Sequence, residues 1–128
     1  MKHLQGWWSA DLSPHLEVLT PRGEQLDVVV DSGFNGELML PAPIIERLGL
    51  IEAGPVETEL ADGSTVWTTI YAGEILWFGQ TKQVWAQATN ADEGLLGTEL
   101  FQGCKVELDL DANLVVFRKR PAPRRRRR

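Results

Sequence analysis

Cysteine and histidine are nearly missing from this chain: 128 residues hold one of the first and two of the second. The lone Cys104 excludes an intramolecular disulfide, which fits a reducing, cytoplasmic setting. Its expected role is that of a small buried hydrophobe. His3 and His15 stand near the N-terminus and form no pair at ligand spacing, and no CxxC occurs, so no metal site is expected. A Ser-His-Asp hydrolase loses its support for the same reason. There is no glycine-rich phosphate loop, and no cofactor is expected. No apolar run nears the roughly 20 residues that span a bilayer, and MKHLQGWWSADLSP lacks the apolar stretch of a signal peptide. The expectation is a chain with no membrane partner.

What is present is the composition of one ordinary domain, 43% hydrophobic and 24% charged. Its charge is unevenly placed. Residues 118–128, RKRPAPRRRRR, carry eight of the 13 basic residues and leave five against 18 acids in residues 1–117. The body is therefore at −13 and the tail at +8. Like charges between prolines cannot pack, so a disordered tail is expected, solvated or folded loosely on the acidic body. Contact with nucleic acid or another acidic partner is the alternative. The five tryptophans, Trp7, Trp8, Trp67, Trp77 and Trp85, read as core and interface anchors.

Strand signals dominate. His15–Thr20 and Leu26–Val30 flank the turn-rich Pro21–Gln25 and read as a hairpin. Glu37–Leu40 alternates like a further strand. Pro41-Ala42-Pro43 then opens a short helix whose apolar Ile44, Ile45 and Leu48 share a face and which stops at Gly49. Val56–Leu60 and Ser64–Tyr71 enclose Ala61-Asp62-Gly63, a strong hairpin signal. Glu74–Phe78 and Gln83–Thr89 repeat the pattern around Gly79–Lys82. After Leu95-Leu96-Gly97 comes a short helix, TELFQ, ending at Gly103. Cys104–Leu110 and Leu114–Phe117 form a last hairpin around Asp111–Asn113. Many short strands with regular turns predict an all-β barrel or sandwich with one or two short helices.

One strand ends oddly. Val28-Val29-Val30 runs straight into Asp31, and the chain turns through Ser32 and Gly33. A buried carboxylate costs several kcal/mol unless something compensates. In isolation, Asp31 reads as a turn residue. Its surroundings change that reading: the Asp62-Gly63 hairpin lies about 30 residues on, and Leu95-Leu96-Gly97 follows before a short helix.

This order resembles the single-domain, retropepsin-like aspartic proteases over roughly residues 12–117. The DSGFNG form, LADGS and LLGTELF are similar to small bacterial members. CKVELDLDANLVVF resembles the protease domain of the DNA-damage-inducible ubiquitin-shuttle proteins, in which such a hairpin helps build the dimer. The division implied is an N-terminal segment 1–11, a protease domain 12–117 and the basic tail 118–128. The fold implied is a closed, homodimeric acid-protease barrel.

The resemblance implies an endopeptidase with Asp31 as its catalytic carboxylate. Such chemistry needs two carboxylates sharing a proton. Only one Asp-Ser-Gly is present, since Asp62-Gly63 lies in a polar turn and Asp109 and Asp111 lack a following glycine. The second must then be Asp31 of another copy, against which the first is buried. By the same resemblance Ser32 braces the pair, and Gly33 and Asn35 bind substrate main chain. Asp62, Gly63 and Ser64 form a flap tip over an extended peptide. Phe34 stands where alanine is usual and reshapes a central pocket. Thr98 stands where the retroviral enzymes carry arginine. The alternative is a non-catalytic dimerisation or peptide-binding module of the same fold.

Overall fold

Alternation of apolar and polar residues, punctuated by glycine and proline, becomes strand in the computed structural model, which describes residues 2–121. β1 (His3–Trp8), β2 (Pro14–Leu19), β3 (Gln25–Val30) and β4 (Leu38–Pro41) precede α1 (Ala42–Leu48). β5 (Ile51–Glu59), β6 (Thr65–Trp77), β7 (Gln80–Thr89) and β8 (Gly94–Leu96) follow. A 3-10 helix over Thr98–Phe101 then leads to β9 (Cys104–Asp109) and β10 (Leu114–Lys119). α1 begins after Pro41 with a proline in its first turn and ends at Gly49, whose φ of 65° lets the chain reverse.

All ten strands join one sheet in the order β5-β6-β7-β4-β8-β3-β2-β1-β10-β9. A further pairing of Leu19 with Leu76 links β2 to β6 and curls the sheet on itself. β3–β8 and β4–β7 are parallel, and the other pairs run antiparallel. This is the expected all-β architecture with one short α-helix.

The core follows the register. Val30, Leu96, Leu38 and Ala86 stand side by side across β3, β8, β4 and β7, and none is more than 5% exposed. Phe117, fully buried on β10, meets the rings of Trp77 and Phe101 edge-on at 5.6 and 5.5 Å. His15 is the buried histidine. Its Nδ1 lies 2.7 Å from Asp27 Oδ1, its ring stacks on Trp7, and among the described residues its Nε2 has no partner.

Several features depart from the sequence-based expectation, which assigned no strand to residues 51–55 or 94–96. Residues 3–8, assigned to a separate N-terminal segment, form β1 and pair with both β2 and β10. Residues 65–77 are one strand, without a break at Ala72-Gly73. Gly73 pairs with Val84, and the Leu50 side chain occupies the space a Cβ would take there. The turn that follows is Phe78-Gly79, both at positive φ, so Gln80–Lys82 belong to β7. Arg118 and Lys119, assigned to the disordered tail, continue β10, where Arg118 Nε donates to Glu107 Oε1 at 3.2 Å. Residues 122–128 lie outside the described region. Among the tryptophans, Trp8 and Trp77 pack on the core, while Trp67 and Trp85 are 68% and 50% exposed.

Phe117→Ala should cost about 3–5 kcal/mol, because it removes a whole ring from a site with no room to collapse. Urea unfolding followed by tryptophan fluorescence measures this, and a loss under about 1 kcal/mol would contradict the packing described.

Candidate active site

β3 is buried on the face of Val28 and Val30, and Val29 on the other face is half-buried. Side chains alternate along a strand, so Asp31 falls on the Val29 face. Its N–H donates to Leu96 O at 2.9 Å and carries the β3–β8 ladder one residue beyond β3. The chain then turns. Phe34 N–H donates to Asp31 O at 3.2 Å, and Gly33 N–H donates to Asp31 Oδ1 at 2.8 Å. One carboxylate oxygen is thus oriented, and Oδ2 is left without a protein partner among the described residues. Asp31 is half-buried in the single chain, with Ser32, Gly33 and Asn35 exposed around it.

Behind this turn two backbone segments cross at close range. Gly97 N–H donates to Glu37 O at 2.9 Å, Thr98 N–H to Phe34 O at 2.8 Å, and Glu99 N–H to Gly36 O at 3.2 Å. Thr98 Oγ1 adds a bond to Phe34 O at 3.3 Å, so its hydroxyl also ties the loop. A Cβ on Gly97 would stand 2.2 Å from Gly36 O, a distance backbone cannot give. The Phe34 ring folds against Gly36 and Gly97 of the same crossing.

Asp62, Gly63 and Ser64 cap the β5–β6 hairpin, far along the sheet order from β3. Ser64 N–H and Oγ both donate to Asp62 Oδ1, at 2.9 and 2.5 Å, and these bonds hold the Asp62 carboxyl below its ordinary range. Gly63 adopts a φ of 85°. Among the described residues, no hydrogen bond joins this tip to the Asp31 turn. Burial pushes the Cys104 thiol up, which favours its protonated form. Among the described residues, no three His, Cys, Asp or Glu side chains converge as a metal site requires.

The register reveals residues that sequence reasoning missed. Val29 pairs with Leu95, Leu95 with Met39, Met39 with Gln87, and Gln87 with Ile70. Paired residues share a face, so these five form one half-buried row over β3, β8, β4, β7 and β6, on the side that carries Asp31. Two grooves of about 540 and 560 Å³ lie elsewhere, and neither is lined by Asp31.

No protein-family model matches this sequence, and no curated protein matches it either. Solved structures do. A retropepsin-like aspartic protease from Rickettsia conorii superposes with a TM-score of 0.62 at 14% identity, covering 90% of this chain and 89% of that one. The protease of EIAV in complex with the inhibitor HBY-793 gives 0.61 at 20% identity, over 79% of this chain and 98% of that one. The fold is retropepsin-like. A foamy viral protease–reverse transcriptase is similar over 77% of this chain but only 13% of its own, with a TM-score of 0.51 at 14% identity.

In this retropepsin-like sheet the tip of the β5–β6 hairpin is acid-sensitive. Asp62 binds its proton more weakly when folded, so its contribution to the turn is present above the ordinary carboxylate value of 3.8 and is lost as pH falls below it. An NMR titration of the Asp62 carboxyl carbon should give a midpoint below 3.8, rising on Ser64→Ala. A midpoint unmoved by that substitution would contradict the assignment.

Proposed function

We propose that the protein is an aspartic endopeptidase that works as a homodimer, with Asp31 of each copy forming one catalytic pair. The observation that supports this is the Asp31 carboxylate itself, oriented by Gly33 N–H on a half-buried, largely apolar face of a retropepsin-like fold. Each chain brings one such carboxylate, and the second comes from another copy across a two-fold axis. Two carboxylates at close range cannot both stay ionised, so they share a proton. Apolar surface at the terminal hairpin favours self-association: Leu108 on the edge strand β9 and Leu110 just after it are each 45% exposed.

The chemistry follows from the shared proton. The ionised carboxylate takes a proton from a water between the pair, and the water oxygen attacks the peptide carbonyl carbon. The protonated carboxyl gives its proton to the carbonyl oxygen, so the pair again holds one proton. The resulting gem-diol returns a hydroxyl proton to the ionised carboxylate, and the other carboxyl protonates the leaving nitrogen as the C–N bond breaks. Ser32 braces the two turns. The Gly33 carbonyl and Asn35 backbone hold the substrate main chain, and Asp62, Gly63 and Ser64 close over it. Main-chain pairing of an extended peptide with the sheet supplies affinity. A module that holds peptide without cutting it shares all these parts and differs only in turnover.

A diverse peptide library incubated with the protein should be cleaved, with a rate that falls when the pair holds two protons or none, a bell in pH. Asp31→Asn should lower cleavage by orders of magnitude while thermal unfolding stays close to that of the parent. Wild-type-like cleavage by Asp31→Asn would defeat the endopeptidase reading. Peptide binding without any cleavage by the parent would favour the non-catalytic module.

A further inference from the structure

The half-buried row beside Asp31 is apolar at Val29, Leu95, Met39 and Ile70, and it is interrupted once, by Gln87. We infer that Gln87 determines specificity: its free amide selects a substrate side chain that carries a hydrogen-bond acceptor. This rests on the reading of the Asp31 face as the peptide-binding cleft.

Among the described residues one hydrogen bond reaches the Gln87 side chain, at its amide oxygen. Thr58 Oγ1, on the flap strand β5, lies 3.4 Å from Gln87 Oε1, and an amide oxygen can only accept, so the hydroxyl donates to it. With its one proton spent, Thr58 accepts at 3.2 Å from the Thr68 hydroxyl on β6. Thr68, Thr58 and Gln87 thus form a relay that ends on Oε1 and leaves Nε2, with its two N–H donors, outside it. Among the described residues Nε2 has no partner, yet it is not sealed from solvent as His15 Nε2 is. A bound apolar side chain would cover these donors and leave them unpaired, whereas an acceptor would satisfy them. A site built to hydrogen-bond its ligand rejects a ligand that lacks the matching group more strongly than an apolar pocket rejects a misfit.

The row also sets where selection occurs. Gln87 lies three strands from Val29, about 14 Å at ~4.8 Å per strand, the span of about four extended residues. The acceptor should therefore stand within about four residues of the scissile bond. In a two-fold dimer the same preference appears on both sides.

The experiment measures binding rather than cleavage. A positional-scanning library of extended peptides is presented to the full chain carrying Asp31→Asn, alone and combined with Gln87→Leu or Gln87→Glu. The Asp31→Asn protein should enrich Asn, Gln or Glu over Leu and Val at one position by about ten-fold, the effect of one net hydrogen bond. Gln87→Leu should erase the enrichment. Gln87→Glu keeps the acceptor for Thr58 but replaces the donors with a carboxylate, so it should shift preference toward Lys, Arg and other donors and keeps the test open if Gln87→Leu misfolds. Identical profiles for the three proteins, or a parent profile without acceptor preference, would overturn the inference; so would absence of any peptide binding. Cleavage by the Asp31-intact chain is scored separately. A protein that shows the preference but never cuts defeats the endopeptidase reading and leaves this one standing.

Discussion

The arrangement around Asp31 depends on one backbone crossing, where residues 34–37 pass over residues 97–99. Three backbone bonds and the Thr98 hydroxyl tie the two segments, and Asp31 N–H adds a fourth backbone tie to Leu96 O just outside the crossing. Such proximity is possible only because position 97 has no side chain, since a Cβ would come within 2.2 Å of Gly36 O. The crossing fixes the turn that aims the carboxylate. It also seats β8 between β3 and β4, which brings Leu95 and Met39 alongside. The position of the Asp31 carboxylate and the half-buried row beside it therefore have a common structural origin.

Two consecutive rows of the sheet divide the labour. The row through Val30, Leu96, Leu38 and Ala86 is sealed and stabilises the fold by burying apolar surface, about 25 cal/mol for each Å². The neighbouring row through Val29, Leu95, Met39 and Gln87 is half-buried and faces the carboxylate. A one-residue slip of any of these strands would exchange the two rows, so the buried row also holds the half-buried row in register. Exposed acids Glu52, Glu57 and Glu59 on the edge strand β5 discourage pairing there, whereas the opposite edge, at β9, presents Leu108.

Local features were legible in the sequence and long-range ones were not. The Asp62-Gly63 hairpin, the proline-started and glycine-stopped α1, and the Asp31 turn all depend on residues within a few positions of one another. β1 has a weak local signal because its alternation, HLQGWW, is broken by Gly6, and its first four residues pair with residues more than 100 positions away. β6 reads as two strands in the sequence because the local signal of Gly73 is a break, while its tertiary neighbour, Leu50, is not adjacent in sequence. Gln87 carries no local mark at all. Its place beside Met39 and Ile70 arises only from the pairing of β4, β7 and β6, which composition and spacing cannot encode.

The central claim is that two copies of Asp31 build one site. Mixing the parent protein with the Asp31→Asn form, at constant total concentration and after subunit exchange, tests this most directly. If a pair is needed, activity follows the square of the parent fraction, so an equal mixture retains about one quarter of the parent rate. A chain that acts alone would retain about one half, and that result would contradict the account.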